Sequence, residues 1–154
     1  MNGLQRLIGL AACLSLGVHA DERPTVTDQA TGTGTVTVTM DQLKSSKGGL
    51  MVHLYANDDG FPDTPDKASI TLYIPPSGQT ARALFPTLPY GTYAIAVCHD
   101  ENGNNDCDSN FLGIPQEGVG VSNNASGFMG PPKFKDAEFE LDSPQKELSI
   151  KLDY

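Results

Sequence analysis

Positive charge is scarce in this chain. Ten Lys and Arg face nineteen Asp and Glu, a formal charge of −9. A polyanion binder needs clustered cations to release counterions, and here the basic residues are sparse and scattered, which argues against nucleic acid. The same acidity argues against adsorption to anionic head groups and is most simply read as solubility. Long apolar runs are also missing. The longest, Leu7 to Val18, has about twelve residues, short of the roughly twenty that span a bilayer, so no transmembrane segment is expected. Internal repeats, coiled-coil heptads and catalytic signatures are absent as well. Cysteine is limited to three positions, Cys13, Cys98 and Cys107.

The first twenty residues do carry a pattern: Arg6 in a short polar start, the apolar run, then small residues at Val18 and Ala20 before Asp21. That arrangement fits an export signal over residues 1–20. A second reading takes Leu10-Ala11-Ala12-Cys13 as resembling a lipobox, which would acylate Cys13. Removal of residues 1–20 takes Arg6 and no acid, so the remaining charge is −10. The expected location is periplasmic or secreted. Residues 21–31 lack periodicity and read as a disordered lead-in, and residues 32–154 suit a single domain. Cys98 and Cys107, an even pair in an exported chain, form either a disulfide or two thiols with Cys98 buried.

Beyond the lead-in the dominant period is two, the mark of strands with one buried face. Val36, Val38 and Met40 alternate with threonines; Leu50, Val52 and Leu54 follow, then Ile70, Leu72 and Ile74. A shorter strand is expected over Thr80 to Phe85. Tyr93, Ile95 and Val97 alternate with Ala94, Ala96 and Cys98, apolar on both faces, which predicts a central strand covered on each side. Ala137, Phe139 and Leu141, then Leu148, Ile150, Leu152 and Tyr154, complete the set. About seven short strands with no convincing helix predict an antiparallel, Greek-key β-sandwich of Ig-like kind. Tyr93, just after Gly91, is either a tyrosine corner or a plain core tyrosine. Residues 100–135, rich in Gly, Asn and Pro, show no strand pattern. Phe111, Leu112, Ile114, Phe128 and Phe134 are expected to anchor them as one long ordered loop.

That loop holds the sharpest chemical signal. In CHDENGNNDCDSNF, Asp100, Asn102, Asn104, Asp106 and Asp108 stand at strict two-residue spacing. Side chains at alternate positions of a tight loop can converge on one point, and carboxylates with amide carbonyls are what Ca²⁺ takes, six to eight oxygens at roughly 2.3–2.6 Å. Against the EF-hand loop these residues fall at positions 1, 3, 5, 7 (by its carbonyl) and 9. Asn105 replaces the glycine, and Phe111 stands where the bidentate Glu belongs. Glu101, Asn110 or Glu117 could complete the shell. Without that Glu, affinity should fall toward the ~10⁻⁴–10⁻³ M of extracellular modules. The competing reading is that Asp and Asn merely form Asx-turns.

Other candidates weigh less. Asn57, Asp58, Asp59, Asp63 and Asp66 read as a solvated loop at the other end of the sandwich. His53 and His99 with Cys107 could form a soft-metal site, although their spacing matches no zinc template. Ser122 has no strained elbow and no matching base, so it is not read as a nucleophile.

From Phe85 to Leu141 the words FPTLPYGTYAIAVCHDENGNNDCDSNFLGIPQEGVGVSNN and GPPKFKDAEFEL resemble the bacterial exported family called domain of unknown function 2141. The resemblance covers most of the chain after residue 20, more loosely over Thr33–Met40 and Gly49–Tyr55. It implies a sandwich similar to transthyretin-like and collagen-adhesin repeat-like domains, with no known enzyme activity. In the family pattern the acidic loop reads Asn-Gly-Lys-Leu-Asp where this chain has Asn104-Asn105-Asp106-Cys107-Asp108, which makes a disulfide a local feature. The leading expectation is a non-catalytic exported sandwich with a Ca²⁺-ordered loop, presenting a binding surface to a protein or glycan of the cell envelope. Two alternatives stand beside it: a metal-dependent periplasmic enzyme using His99, Asp100 or Glu101, and a purely structural disulfide-clamped module.

Overall fold

The computed structural model describes residues 31–154; the leader, the lipobox and all but Thr31 of the lead-in lie outside the described residues. Eight strands form two sheets: β1 (Thr33–Asp41), β2 (Gly49–Tyr55), β3 (Ile70–Ile74), β4 (Ala81–Pro89), β5 (Gly91–Asp100), β6 (Gly118–Val121), β7 (Phe139–Leu141) and β8 (Gln145–Lys151), with a four-residue helix α1 (Phe134–Ala137) before β7. One sheet has the order β4-β1-β8. The other has the order β3-β2-β5-β6, with β7 also paired to β5. No helix among the described residues is long and apolar enough to cross a membrane.

The period-two reading holds on the inner faces. Val36, Val38, Met40, Leu50, Val52, Leu54, Phe85, Ile95, Val97 and Ile150 are all buried between the sheets. β5 is covered on both sides, as its apolar alternation requires. Its second face carries Ala94 and Ala96, packed with Tyr55, Val121 and Ala137 beneath Phe61 and Phe134. The Phe61 ring meets Tyr55 and Phe134 edge-on at 5.4 and 5.8 Å. Tyr93 donates its hydroxyl to the Pro89 carbonyl at 2.8 Å, the corner contact the sequence left open.

Two features depart from expectation. β1 and β8 pair in parallel, so the sandwich is not wholly antiparallel. β7 runs antiparallel to β5 and ends opposite Gly91. Only Asp142–Pro144 then separate it from β8, which therefore starts at the end where β1 also starts. Secondly, the stretch 100–135 is not one loop. Gly118–Val121 pairs with Ala96–His99, returning the chain to the far end of β5. β6 was hidden because its alternate residues are glycines. A Cβ on Gly120 would press on the Lys151 carbonyl oxygen and Ile150, so the bare backbone lets β8 close against β6. The Val119–Asp153 bridge seals that seam.

The turn after β6 fastens three elements. Ser122 is fully buried; its Oγ accepts the Ile95 N–H at 2.9 Å and donates to the Ala137 carbonyl at 2.5 Å. Asn123 donates to the Glu138 carbonyl, and Asn124 accepts the Lys151 N–H. Ser122→Ala should strand a buried N–H and a carbonyl together, a loss of about 2 kcal/mol in urea unfolding. A loss below about 0.5 kcal/mol would contradict this reading.

Candidate functional site

Gly49 of β2 pairs with Asp100 of β5, so the β1–β2 connection, the end of β5 and the chain end at Tyr154 all meet where the 100–117 loop begins. Cys98 and Asp100 lie on the outer face of the β5 sheet and His99 on the inner. Asp100 is fully buried. Its Oδ1 accepts the N–H groups of Gly103 and Asn104 at 2.7 and 3.2 Å, and its Oδ2 that of Asn105 at 2.9 Å. One carboxylate thus winds the loop around itself, and Asn105 takes the left-handed turn, φ +61°, at the glycine position of the motif.

Above it, Asn102 and Asn104 converge on Asp108. Their amide nitrogens donate to its carboxylate at 2.6 and 3.3 Å, while their oxygens accept the N–H groups of Asn104 and Asp106. Asp106 turns its own carboxylate onto the Cys107 N–H. Of the five predicted ligands, then, three gather, Asp100 lies beneath them, and the Asp106 side chain points away. All are hard oxygen donors suited to a divalent cation, which would require the two amides to present oxygen where they now present nitrogen.

Glu117 is the residue the sequence named only as one of three shell-completing options. It is 6% exposed and closes the loop base: Oε1 accepts the Glu101 N–H at 3.0 Å and Oε2 the Asp108 N–H at 3.2 Å. Oε2 also lies 3.8 Å from the Cys98 sulfur. Cys98 and Cys107 form a disulfide with a Cα separation of 6.1 Å, which resolves the thiol alternative. The bridged sulfurs and Glu117 form the one group of three His, Cys, Asp or Glu side chains close enough to share an ion among the described residues. Bridged sulfurs carry no thiolate charge, the form in which cysteine ligates a metal.

The soft-metal candidate does not assemble. His99 faces the core, with Nε2 donating to the Lys47 carbonyl at 2.9 Å and Nδ1 against the Tyr154 hydroxyl at 2.6 Å. Burial holds that hydroxyl above its usual range. Both nitrogens are hydrogen-bonded and the ring is fully buried. His53 sits opposite Ala96 on the outer face, its Nδ1 2.9 Å from Thr71 Oγ1, and Cys107 is bridged. Burial pushes the His53 imidazole below the ordinary 6.5. The unfolded chain therefore takes up the proton first, and stability should decline as pH falls below 6.5 toward the lower folded value. In His53→Gln that part of the pH dependence should vanish; denaturant midpoints from pH 8 to 5 that fall in parallel for both proteins would contradict it.

At the other end of β5, Asn57 accepts the Asp59 N–H and Lys67 pairs with Asp59 at 3.0 Å on the surface. This is the solvated acidic loop expected there. The apolar anchors are reversed, however. Phe134 packs, but Phe111, Leu112, Ile114 and Phe128 are 94, 68, 56 and 93% exposed.

Fold and loop together define a two-sheet β-sandwich domain with a disulfide-bridged, carboxylate-organised loop at one end. The profile of a bacterial family, described as "Uncharacterized protein conserved in bacteria (DUF2141)", matches residues 38–149, and the chain belongs to that family. Neither the curated proteins nor the solved structures give a match.

Proposed function

We propose that this protein is a non-catalytic, exported β-sandwich module whose 100–117 loop takes up Ca²⁺ and serves as a binding element toward a protein or glycan of the cell envelope. The observation that carries the reading is the convergence of Asn102, Asn104 and Asp108 over the buried Asp100. Asp106 would contribute its carbonyl. Two carboxylates and two amides without a bidentate Glu imply a Kd of roughly 10⁻⁴–10⁻³ M. Equilibrium dialysis at millimolar Ca²⁺ should recover about one ion per chain, and Asp108→Ala should lose it. Wild-type protein that retains no Ca²⁺ under these conditions rules out the metal.

The structural alternative has its own support, since both Asp100 oxygens are already occupied by backbone N–H groups. Alanine at Asp100 is therefore no test between the two, because it unwinds the loop under either. Asp108 discriminates: its loss should abolish the Ca²⁺ response under the first reading and change nothing between calcium and chelator under the second.

A further inference from the structure

Three potential ligands meet where β5 runs into the 100–117 loop: the sulfurs of Cys98 and Cys107 and a carboxylate oxygen of Glu117 all lie within 4.8 Å of one another. While the sulfurs are bonded to each other, Glu117 is the one anionic donor of the three. It is already held as a ligand would be. Its Oε1 accepts the Glu101 N–H, and its Oε2 accepts the Asp108 N–H while lying 3.8 Å from the Cys98 sulfur. Ligating carboxylates are characteristically oriented by such outer bonds, and each oxygen keeps a further lone pair. The side chain is buried, and the one ion pair among the described residues, Lys67–Asp59, lies elsewhere. A buried carboxylate without a cation is costly, and a bound cation would offset that cost.

We propose that the Cys98–Cys107 bridge is the oxidised state of a metal site: once a dithiol opens it, the two thiolates and Glu117 hold one thiophilic divalent cation of the zinc type. Cys98 is buried and Cys107 half-exposed, so the dithiol's first thiolate attacks the Cys107 sulfur. The S–S bond breaks, a mixed disulfide forms at Cys107, and Cys98 leaves; the second thiol then closes the reductant into a cyclic disulfide and frees Cys107. Two electrons and two protons pass to the cysteines, and the cation displaces those two protons on binding. With Zn–S of about 2.3 Å and Zn–O of about 2.0 Å, a tetrahedral site sets sulfur and oxygen about 3.5 Å apart and its two sulfurs about 3.8 Å apart. The Cys98–Glu117 edge is therefore nearly in place at 3.8 Å. Only Cys107 has to shift, and it stands in the loop while Cys98 is fixed in β5. Two thiolates with one carboxylate select a zinc-type ion over Ca²⁺, so this site is separate from the oxygen series of Asn102, Asn104 and Asp108.

The test uses the purified protein, opened with a water-soluble phosphine that itself becomes the phosphine oxide, desalted without oxygen and titrated with Co²⁺ and Zn²⁺. The reduced chain should take up one ion, release two protons per Zn²⁺ and show thiolate-to-cobalt charge-transfer absorption. The oxidised chain and Cys98→Ser with Cys107→Ser should show no such absorption, whatever ions their oxygen ligands hold. Glu117→Gln should bind Co²⁺ at least about a hundredfold more weakly, the upper end of what loss of a mere orienting partner costs. X-ray absorption at the zinc edge of the reduced wild type needs no variant and should show two sulfurs with oxygen beside them. A bridge that opens only on unfolding, a reduced chain without the charge-transfer band, or Glu117→Gln that binds Co²⁺ like wild type overturns the proposal. A shell of four sulfurs overturns it as well, since that ion would join two chains without Glu117.

Discussion

Replacing Asp100 by alanine is expected to cost the domain about 3 kcal/mol, the largest single effect outside the core. The side chain is fully buried and accepts three backbone N–H bonds from its own loop. Bonds to a charged acceptor contribute about 1.5–3 kcal/mol each when no water can replace them, and the partly exposed loop will recover some of that by hydration. Asp100→Asn should lose nearly as much, because its amide would set a donor against the donors it must satisfy. Urea unfolding of the two variants measures this. A loss under about 1 kcal/mol for either would mean that the loop is held by the disulfide and Glu117 without the carboxylate.

The second large effect is the disulfide. Cys98 and Cys107 are nine residues apart, and closing so short a ring lowers unfolded-state entropy by an amount equal to about 2–3 kcal/mol. Cys98→Ala with Cys107→Ala should lose that much in denaturant unfolding. Glu117 qualifies the expectation, since it bonds Glu101 and Asp108 and so spans the loop independently of the sulfurs. The two fastenings share one loop and should not add simply. Glu117→Gln should therefore be more harmful in the bridge-free protein than in the oxidised one; equal losses in both backgrounds would show that the fastenings act separately.

The strands were legible because alternation along β1, β2, β3 and β5 is a local property, set by a side chain's neighbours two residues away. The loop's alternation of Asp and Asn was legible for the same reason, as was the left-handed Asn105. What the sequence could not display depends on distant placement. β8 lies parallel to β1 because β7 delivers the chain to the end where β1 starts, and Gly118–Val121 counts as a strand only once β5 and β8 flank it. Ser122 was set aside as a nucleophile, and its structural role shows only once Ile95 and Ala137 lie beside it. Phe111 and Phe128 misled in the opposite sense: large apolar residues in a long loop usually fill a core, and here the core was already closed by α1, Phe61 and Phe134.

The proposed Ca²⁺ uptake is tested most directly by the thermal unfolding midpoint of the oxidised protein in 10 mM Ca²⁺, in 10 mM Mg²⁺ and in chelator, the metal concentrations being roughly ten- to a hundredfold over the expected Kd. Binding to the folded state alone should then add about 1.4–2.7 kcal/mol, a rise of roughly 5–10 °C for a domain of this size. The account predicts that rise in Ca²⁺, little of it in Mg²⁺, and none in Asp108→Ala. Equal midpoints in calcium and chelator would contradict it and leave Asp100 to Asp108 as a turn that binds only its own backbone.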